Sequence, residues 1–282
     1  MKLGILYICT GRYNIFWKKF YKTCEKHFIL EAEKHYFVFT DAATIAYESE
    51  NTRINRIFQE NLGWPNNTLK RFETFLKIKE QLLNMDFLFF FNANVIFQKQ
   101  ILSEDFLPKN ENLLACLHCG FYDKSNEFFS YDRNENSTAY IPYGIGKYYV
   151  YGGLQGGKTK AFLEAVEIMN NNIQKDLEQG IIALWHDESH WNKYILNRND
   201  VKILSTSYLY PEGQHLPFVP IIKLLDKNYH YGFNYLRGIS NTPRNNFFST
   251  IRYYYDYIMY FYKKIKFFVK NKNILNLIRG NL

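Results

Sequence analysis

The stretch Phe87-Leu88-Phe89-Phe90-Phe91-Asn92-Ala93-Asn94 is an apolar run closed abruptly by two amides around an alanine. A continuous apolar run of that length reads as a strand buried on both faces, the kind found in a parallel sheet covered by helices. Working back from it, Leu69, Phe72, Leu76 and Leu83 mark an amphipathic helix that starts after Pro65-Asn66-Asn67-Thr68. Before that helix, His35-Tyr36-Phe37-Val38-Phe39-Thr40 reads as a second buried strand and ends in Asp41. Phe16, Phe20 and Cys24 share one face of a helix over residues 15–27, and residues 3–8 form the first strand, followed by Gly11. Strand and helix in alternation imply a doubly wound, mostly parallel α/β sheet flanked by helices. Ligands of such sheets bind beyond the carboxyl ends of the strands. Those ends carry Cys9-Thr10-Gly11, Thr40-Asp41 and Asn92-Ala93-Asn94.

Working forward, residues 140–157 are rich in Tyr and Gly, residues 160–178 read as a helix, and Trp185-His186-Asp187-Glu188-Ser189-His190 opens a shorter one. The clearest break is Asn241-Thr242-Pro243, which divides a catalytic domain, residues 1–242, from a tail, residues 243–282. The tail holds Arg244, Arg252, Lys263, Lys264, Lys266, Lys270, Lys272 and Arg279 against Asp256 alone. It therefore carries +7 of the net +8, and the body is close to neutral. Within it Phe247, Ile251, Tyr255, Ile258, Tyr262, Ile265 and Val269 recur as one helical face. A basic amphipathic helix of this kind suits an anionic membrane surface. Charge confined to a tail, with no binding motif in the body, argues against a nucleic-acid partner.

The N-terminus lacks the pattern of a signal peptide, and no run of about 18 apolar residues suits a spanning helix. Four scattered cysteines make no disulfide framework. A reducing, cytoplasmic protein is expected, peripheral on the inner face of the membrane if the tail docks there. Aromatic residues make up 19% of the chain, and exposed Tyr and Trp suit stacking on sugar rings.

Four short motifs invite chemical readings. Gly152-Gly153-Leu154-Gln155-Gly156-Gly157-Lys158-Thr159 matches the phosphate-loop pattern letter for letter, yet no later apolar strand ends in an acid to hold magnesium. A Gly-rich turn or a sugar-binding turn competes with that reading. His186 and His190 stand four residues apart, as zinc ligands on a helix would, without a third ligand. Cys116-Leu117-His118-Cys119 has no second pair and reads as buried structure. Asn92 and Asn94 are neutral amides, poor ligands for a hard divalent cation.

Together these pieces resemble glycosyltransferase family 6, the family of the histo-blood group A and B transferases and the α-1,3-galactosyltransferase. The likeness runs from about Ile5 to Lys227. Its segments are Glu25-Lys26-His27-Phe28, Tyr36 to Asp41, His118-Cys119-Gly120-Phe121-Tyr122, Ala139 to Pro142, Gly152-Gly153, Trp185 to His190 and Asn192-Lys193-Tyr194. It accounts for the glycines and leaves Lys158-Thr159 as the accidental part of the phosphate-loop match. It is strongest to bacterial-type members, which carry Asn-Ala-Asn in place of Asp-x-Asp.

The resemblance implies a GT-A fold and a retaining transfer from a UDP-sugar, UDP-GalNAc before UDP-Gal, to a fucosylated galactose (H-type) glycan in α-1,3 linkage. It places Ile8, Cys9, Thr10 and Tyr13 around the uridine and Arg71 on the donor sugar or diphosphate. It sets Asn92 and Asn94 at the metal-motif positions, with no divalent metal expected. Tyr151, Gly152 and Gly153 would line the pocket for the sugar C2 substituent. His186 and Asp187 would contact donor hydroxyls, and His118, Ser130 and Trp185 would face the acceptor. Glu188 would lie beneath the anomeric carbon, as a nucleophile or through its charge, and would border the acceptor. Arg71 and Lys227 are the candidate cations for the departing UDP. Two departures stand out: Cys119 where the family has proline, and Glu212 displaced by Pro211 from the position after Tyr208-Leu209-Tyr210. A sugar-binding protein without catalysis and a nucleotide hydrolase are the competing classes.

Overall fold

The computed structural model describes residues 1–244 together with Ile251, Tyr255, Ile258, Met259 and Tyr262. Of the apolar helical face expected of the tail, Ile251, Tyr255, Ile258 and Tyr262 are helical and exposed, whereas Phe247, Ile265 and Val269 lie outside the described residues. Two compact units divide between Leu225 and Asp226.

The strands of the first unit are β1 (Lys2–Ile8), β2 (Glu33–Thr40), β3 (Ile54–Phe58), β4 (Phe87–Phe91), β5 (Val95–Phe97), β6 (Leu113–Leu117), β7 (Val150–Lys158), β8 (Val201–Leu204), β9 (Tyr210–Pro211) and β10 (Ile222–Leu224). One seven-stranded sheet has the order β3-β2-β1-β4-β7-β6-β8, and a small one the order β5-β10-β9. In the large sheet β3, β2, β1 and β4 run parallel, as do β6 and β8. Strand β7 runs against both neighbours. The result is the mostly parallel α/β sheet that the apolar runs imply.

Alternation along each strand feeds two cores. Leu88 and Phe90 of β4, with Leu6 of β1, face a cluster that includes Phe72, Phe162, Met169 and Trp191. The helix Thr159–Glu178 supplies much of it through Phe162, Leu163, Val166, Met169 and Ile173. Tyr7, Phe89 and Phe91 point the other way, into an aromatic layer. There Tyr7 meets Trp17 and Phe20 of the helix Trp17–His27, and Phe91 meets Phe20, Phe28 and Phe97. Helices therefore cover both faces, which is why the strands carry no polar alternation.

Two expectations change. The helix expected across Leu69 to Leu83 is three short ones, Asn66–Leu69, Arg71–Leu76 and Lys79–Leu82. The buried residues explain the breaks: Leu69, Phe72, Phe75 and Ile78 follow at three-residue steps. In a continuous α-helix each such step rotates the contact by about 60°, so the stripe leaves the core unless the helix is interrupted. The Gly-rich segment is no turn either, because Gly152–Gly157 lies inside β7. Gly156 pairs with Phe89 there, and a Cβ at Gly156 would stand 2.3 Å from both the Leu88 carbonyl oxygen and Phe89 Cδ1. Glycine lets β7 lie flat on β4.

Gly156→Ala is expected to lower unfolding stability by about 3 kcal/mol through this clash, read from urea denaturation midpoints.

Candidate active site

The parallel strands β1, β2 and β4 end on one edge of the sheet, and antiparallel β7 begins there. Main-chain bonds knit that edge together. Cys9 N–H donates to the Phe39 carbonyl at 2.9 Å, Gly11 N–H to Asp41 Oδ1 at 2.7 Å, and Asn92 N–H to the Gly153 carbonyl at 2.9 Å. The helix Asp187–Ile195 packs on β7 and brings its first turn to the same edge. Asn192 fixes this contact: its Oδ1 accepts from Val150 N–H at 3.0 Å, and its Nδ2 donates to the Val150 and Glu188 carbonyls, each at 2.9 Å.

At the centre lies a buried charge network. Arg71, from the helix Arg71–Leu76, pairs with Asp187 and donates to the Gly152 carbonyl at 2.8 Å. Its guanidinium rests 3.9 Å from the centre of the Phe90 ring. Asp187 is 1% exposed, and burial pushes its carboxyl up to about 6 against the pull of Arg71. Glu188, beside it, keeps partial solvent access; its Oε1 accepts from the Tyr149 hydroxyl at 2.8 Å and its Oε2 from Gly152 N–H at 2.7 Å. Burial raises its carboxyl to about 7, the two hydrogen bonds acting in the opposite direction.

The two glycines leave room for these groups. A Cβ at Gly152 would come within 2.9 Å of Glu188 Cβ, and one at Gly153 within 2.7 Å of the Asn92 amide nitrogen. Just upstream, His186 sits at φ 54° and ψ −124°, a conformation that costs an L-residue on the order of 1–3 kcal/mol. Its ring meets Trp64 edge-on, and burial lowers its basicity. Trp185 is 49% exposed and Trp64 62%, so two indoles stand open beside the network.

The connection from β6 to β7 supplies another wall. His118 stacks on Tyr151 with ring centres 3.9 Å apart, and the Tyr151 hydroxyl shares a hydrogen bond with Cys119 Sγ at 2.9 Å. Gly120 N–H donates to His118 Nδ1 at 3.0 Å, which leaves the proton on Nε2. Burial drops the His118 pKa to about 4, so the ring is a neutral donor at pH 7. Ser130 is half-buried between Phe129 and Tyr131, members of an aromatic cluster that includes Tyr149.

The other expected residues are placed as follows. Ile8 closes β1, Cys9 and Thr10 are buried just past it, and Tyr13 lies half-buried in the single turn Gly11–Phe16. Burial pushes the Cys9 thiol up to about 12, so it is packing rather than a nucleophile. Lys227 opens the short helix Lys227–His230 of the second unit, capped by Asp226, which accepts from Asn228 N–H and Tyr229 N–H. His190 is 2% exposed and lies 3.7 Å from Asp176. Tyr149, Gln155 and Asn192, which hold the acids, carry no signal in the sequence as ligand groups; only their spacing to Gly152 and Glu188 hints at them.

The Asn92–Asn94 turn offers no carboxylate to a divalent cation. Asn94 is 3% exposed, its amide nitrogen is spent on the Leu225 carbonyl at 2.5 Å, and its buried oxygen has no partner. Among the described residues no three His, Cys, Asp or Glu side chains gather as a metal set. The donor groups at this turn are neutral amides.

This sheet edge therefore brings together two adjoining carboxylates, an arginine and exposed indoles. The profile of glycosyltransferase family 6 matches residues 1–231, and the chain belongs to that family. It is 38% identical over 212 residues to the O-antigen biosynthesis glycosyltransferase WbnI of Escherichia coli, covering 75% of this chain and 89% of that one. It is 28% identical over 238 residues to globoside alpha-1,3-N-acetylgalactosaminyltransferase 1 of Gallus gallus, covering 81% and 68%. Histo-blood group ABO system transferase 2 of Rattus norvegicus is 29% identical over 229 residues, covering 79% and 67%. The protein is a glycosyltransferase.

Because Glu188 titrates near 7 when folded and near 4.5 when not, the stability linked to its protonation is full below pH 4.5 and is lost as pH rises through about 7. Urea titrations at pH 5 and pH 8.5 should show Glu188→Gln losing less stability across that range than the parent. The difference is expected to be on the order of 2 kcal/mol once partial exposure is discounted.

Proposed function

We propose that the enzyme transfers GalNAc from UDP-GalNAc, with retention and in α-1,3 linkage, to a galactose-containing glycan of the fucosylated H type. The observation that carries this reading is the Glu188 carboxylate, held by Gly152 N–H and the Tyr149 hydroxyl beside the Arg71–Asp187 pair. Retention needs negative charge on the face of the anomeric carbon opposite the leaving UDP, and Glu188 offers it at a fixed place. Ionised above its raised pKa, it stabilises the positive charge that grows as the glycosidic bond to UDP breaks. Arg71 is the candidate cation for the departing diphosphate. His118, as a neutral Nε2–H donor, suits an acceptor hydroxyl or ring oxygen, and Trp185 suits stacking on a sugar face.

GalNAc is favoured over galactose because the C2 acetamido group needs space and an amide partner. Asn92 presents its amide over Gly153 as that partner, and space is left where Tyr151 is drawn aside onto His118 and Cys119. The same reaction with UDP-Gal is the second reading. Neutral amides at Asn92 and Asn94 support a reaction without divalent metal. The tail, carrying +7 over residues 243–282, supports peripheral attachment to an anionic inner-leaflet surface, beside lipid-linked glycans.

With purified protein, kcat/KM for UDP-GalNAc should exceed that for UDP-Gal by about 10–200-fold and should survive EDTA. Glu188→Gln should bind UDP as the parent does and lose about 100-fold or more in kcat. Activity that disappears with EDTA and returns with Mn2+ would overturn the metal-free reading; equal or better use of UDP-Gal would overturn the donor assignment. Sedimentation with anionic vesicles should be lost in a chain ending at Asn241, and equal binding by both chains would remove the tail from the argument.

A further inference from the structure

The Arg71–Asp187 pair is accompanied by a second, neutral donor. Gln155 lies on β7 at 0% exposure, and its Nε2 donates to Asp187 Oδ2 and to the Gly152 carbonyl, each at 3.2 Å. These are the same two acceptors that Arg71 Nη1 contacts. Reversing the amide would set an oxygen against both, so the partners fix its orientation. The cost of this arrangement is visible: Gln155 Oε1 is buried with no hydrogen-bond partner. Arg71 Nε is likewise buried and unpartnered, so the guanidinium's donors are not used up within the protein.

We infer that Gln155 is a positioning residue for the transfer, a neutral double of Arg71 that keeps hold of Asp187 and the Gly152 carbonyl while the guanidinium turns toward the anionic diphosphate of the donor. The inference rests on the function proposed above. A buried carboxylate stripped of its only partner is costly. With Gln155 in place, Arg71 can be shared with a second anion and Asp187 stays hydrogen-bonded. Holding the Gly152 carbonyl also holds Gly152 N–H on Glu188 Oε2, since both belong to one residue of a rigid strand. The charged or titratable groups facing Asp187 are Arg71, Glu188 and Tyr149, and His186 precedes it on the chain. Gln155 is the fixed neutral donor among them.

Gln155→Met, close in shape and apolar, is the test. It removes an unsatisfied buried oxygen, so its melting temperature should equal or exceed the parent's. Its kcat/KM should nevertheless fall about tenfold, mostly through a raised donor KM. The acid limb of its kcat/KM profile should move to higher pH, because the hydrogen bond that helps keep Asp187 ionised is gone. Gln155→Glu, the same shape with a charge facing Asp187, should be more impaired than Gln155→Met at pH 8. A residue that only packs would show the reverse: lower melting temperature and an unshifted pH profile. Either that pattern, or parental donor KM and pH profile in Gln155→Met, overturns the inference. If the parent turns over no UDP-sugar, the proposed function fails, and the thermal shift given by UDP-GalNAc then decides the role of Gln155: a smaller shift in Gln155→Met sustains it, an equal one ends it.

Discussion

Strand β7 runs against its neighbours in the middle of a sheet whose other strands are parallel to one another, and the site depends on that reversal. A parallel strand at this place would start at the far edge and send Gly152 and Gly153 away from the ends of β1 and β4. Reversed, it begins where they finish. The fit requires backbone against backbone, because Gly156 leaves no gap for a side chain over Leu88 and Phe89. The glycines of this segment thus serve sheet packing at one end and make room for Glu188 and Asn92 at the other. This double use explains how a sequence so like a phosphate loop can be a strand.

Anchored on β7, the first turn of the helix Asp187–Ile195 brings two adjoining carboxylates to one arginine. Desolvation opposes the ionisation of both, and Asp187 and Glu188 also repel each other. Arg71 pairs with Asp187, and fixed donors offset the rest: Gln155 on Asp187, Gly152 N–H and the Tyr149 hydroxyl on Glu188. Such donors need not reorganise when charge develops nearby, which is the condition for electrostatic stabilisation of a transition state. The strained backbone of His186 is the local price of turning the chain sharply enough to present both acids.

Much of the sheet is legible in the residues because burial on both faces leaves a plain mark. Residues 3–8, 36–39 and 87–91 are apolar without alternation, and each lies in an inner strand of the sheet. The acids were legible too, since Trp185-His186-Asp187-Glu188 stands out and resembles a known motif. Direction in the sheet was not. Nothing in Val150 to Lys158 distinguishes a parallel from an antiparallel strand, because that depends on which edge the preceding connection reaches. Nor could Leu69 to Leu83 be resolved into three helices from Leu69, Phe72, Leu76 and Leu83 alone; Phe75, Ile78 and Leu82 had to be known as buried. Gln155 and Tyr149 were invisible for a similar reason: their roles come from contacts across 32 and 39 residues of sequence separation.

The connection between Leu117 and Val150 leaves the sheet and returns to it at the same edge. It carries His118, Cys119, Ser130 and Tyr149, and an internal hydrophobic cluster of Phe129, Tyr131, Ile141 and Tyr149 holds it together. A segment with both ends pinned side by side and its own small core can change length or composition without shifting the register of any strand. Insertions, deletions or exchanges confined to its outer turns would reshape the wall around His118 and Ser130 and leave the charge network in place. The fold is therefore built so that this wall can drift faster than the charged centre it borders.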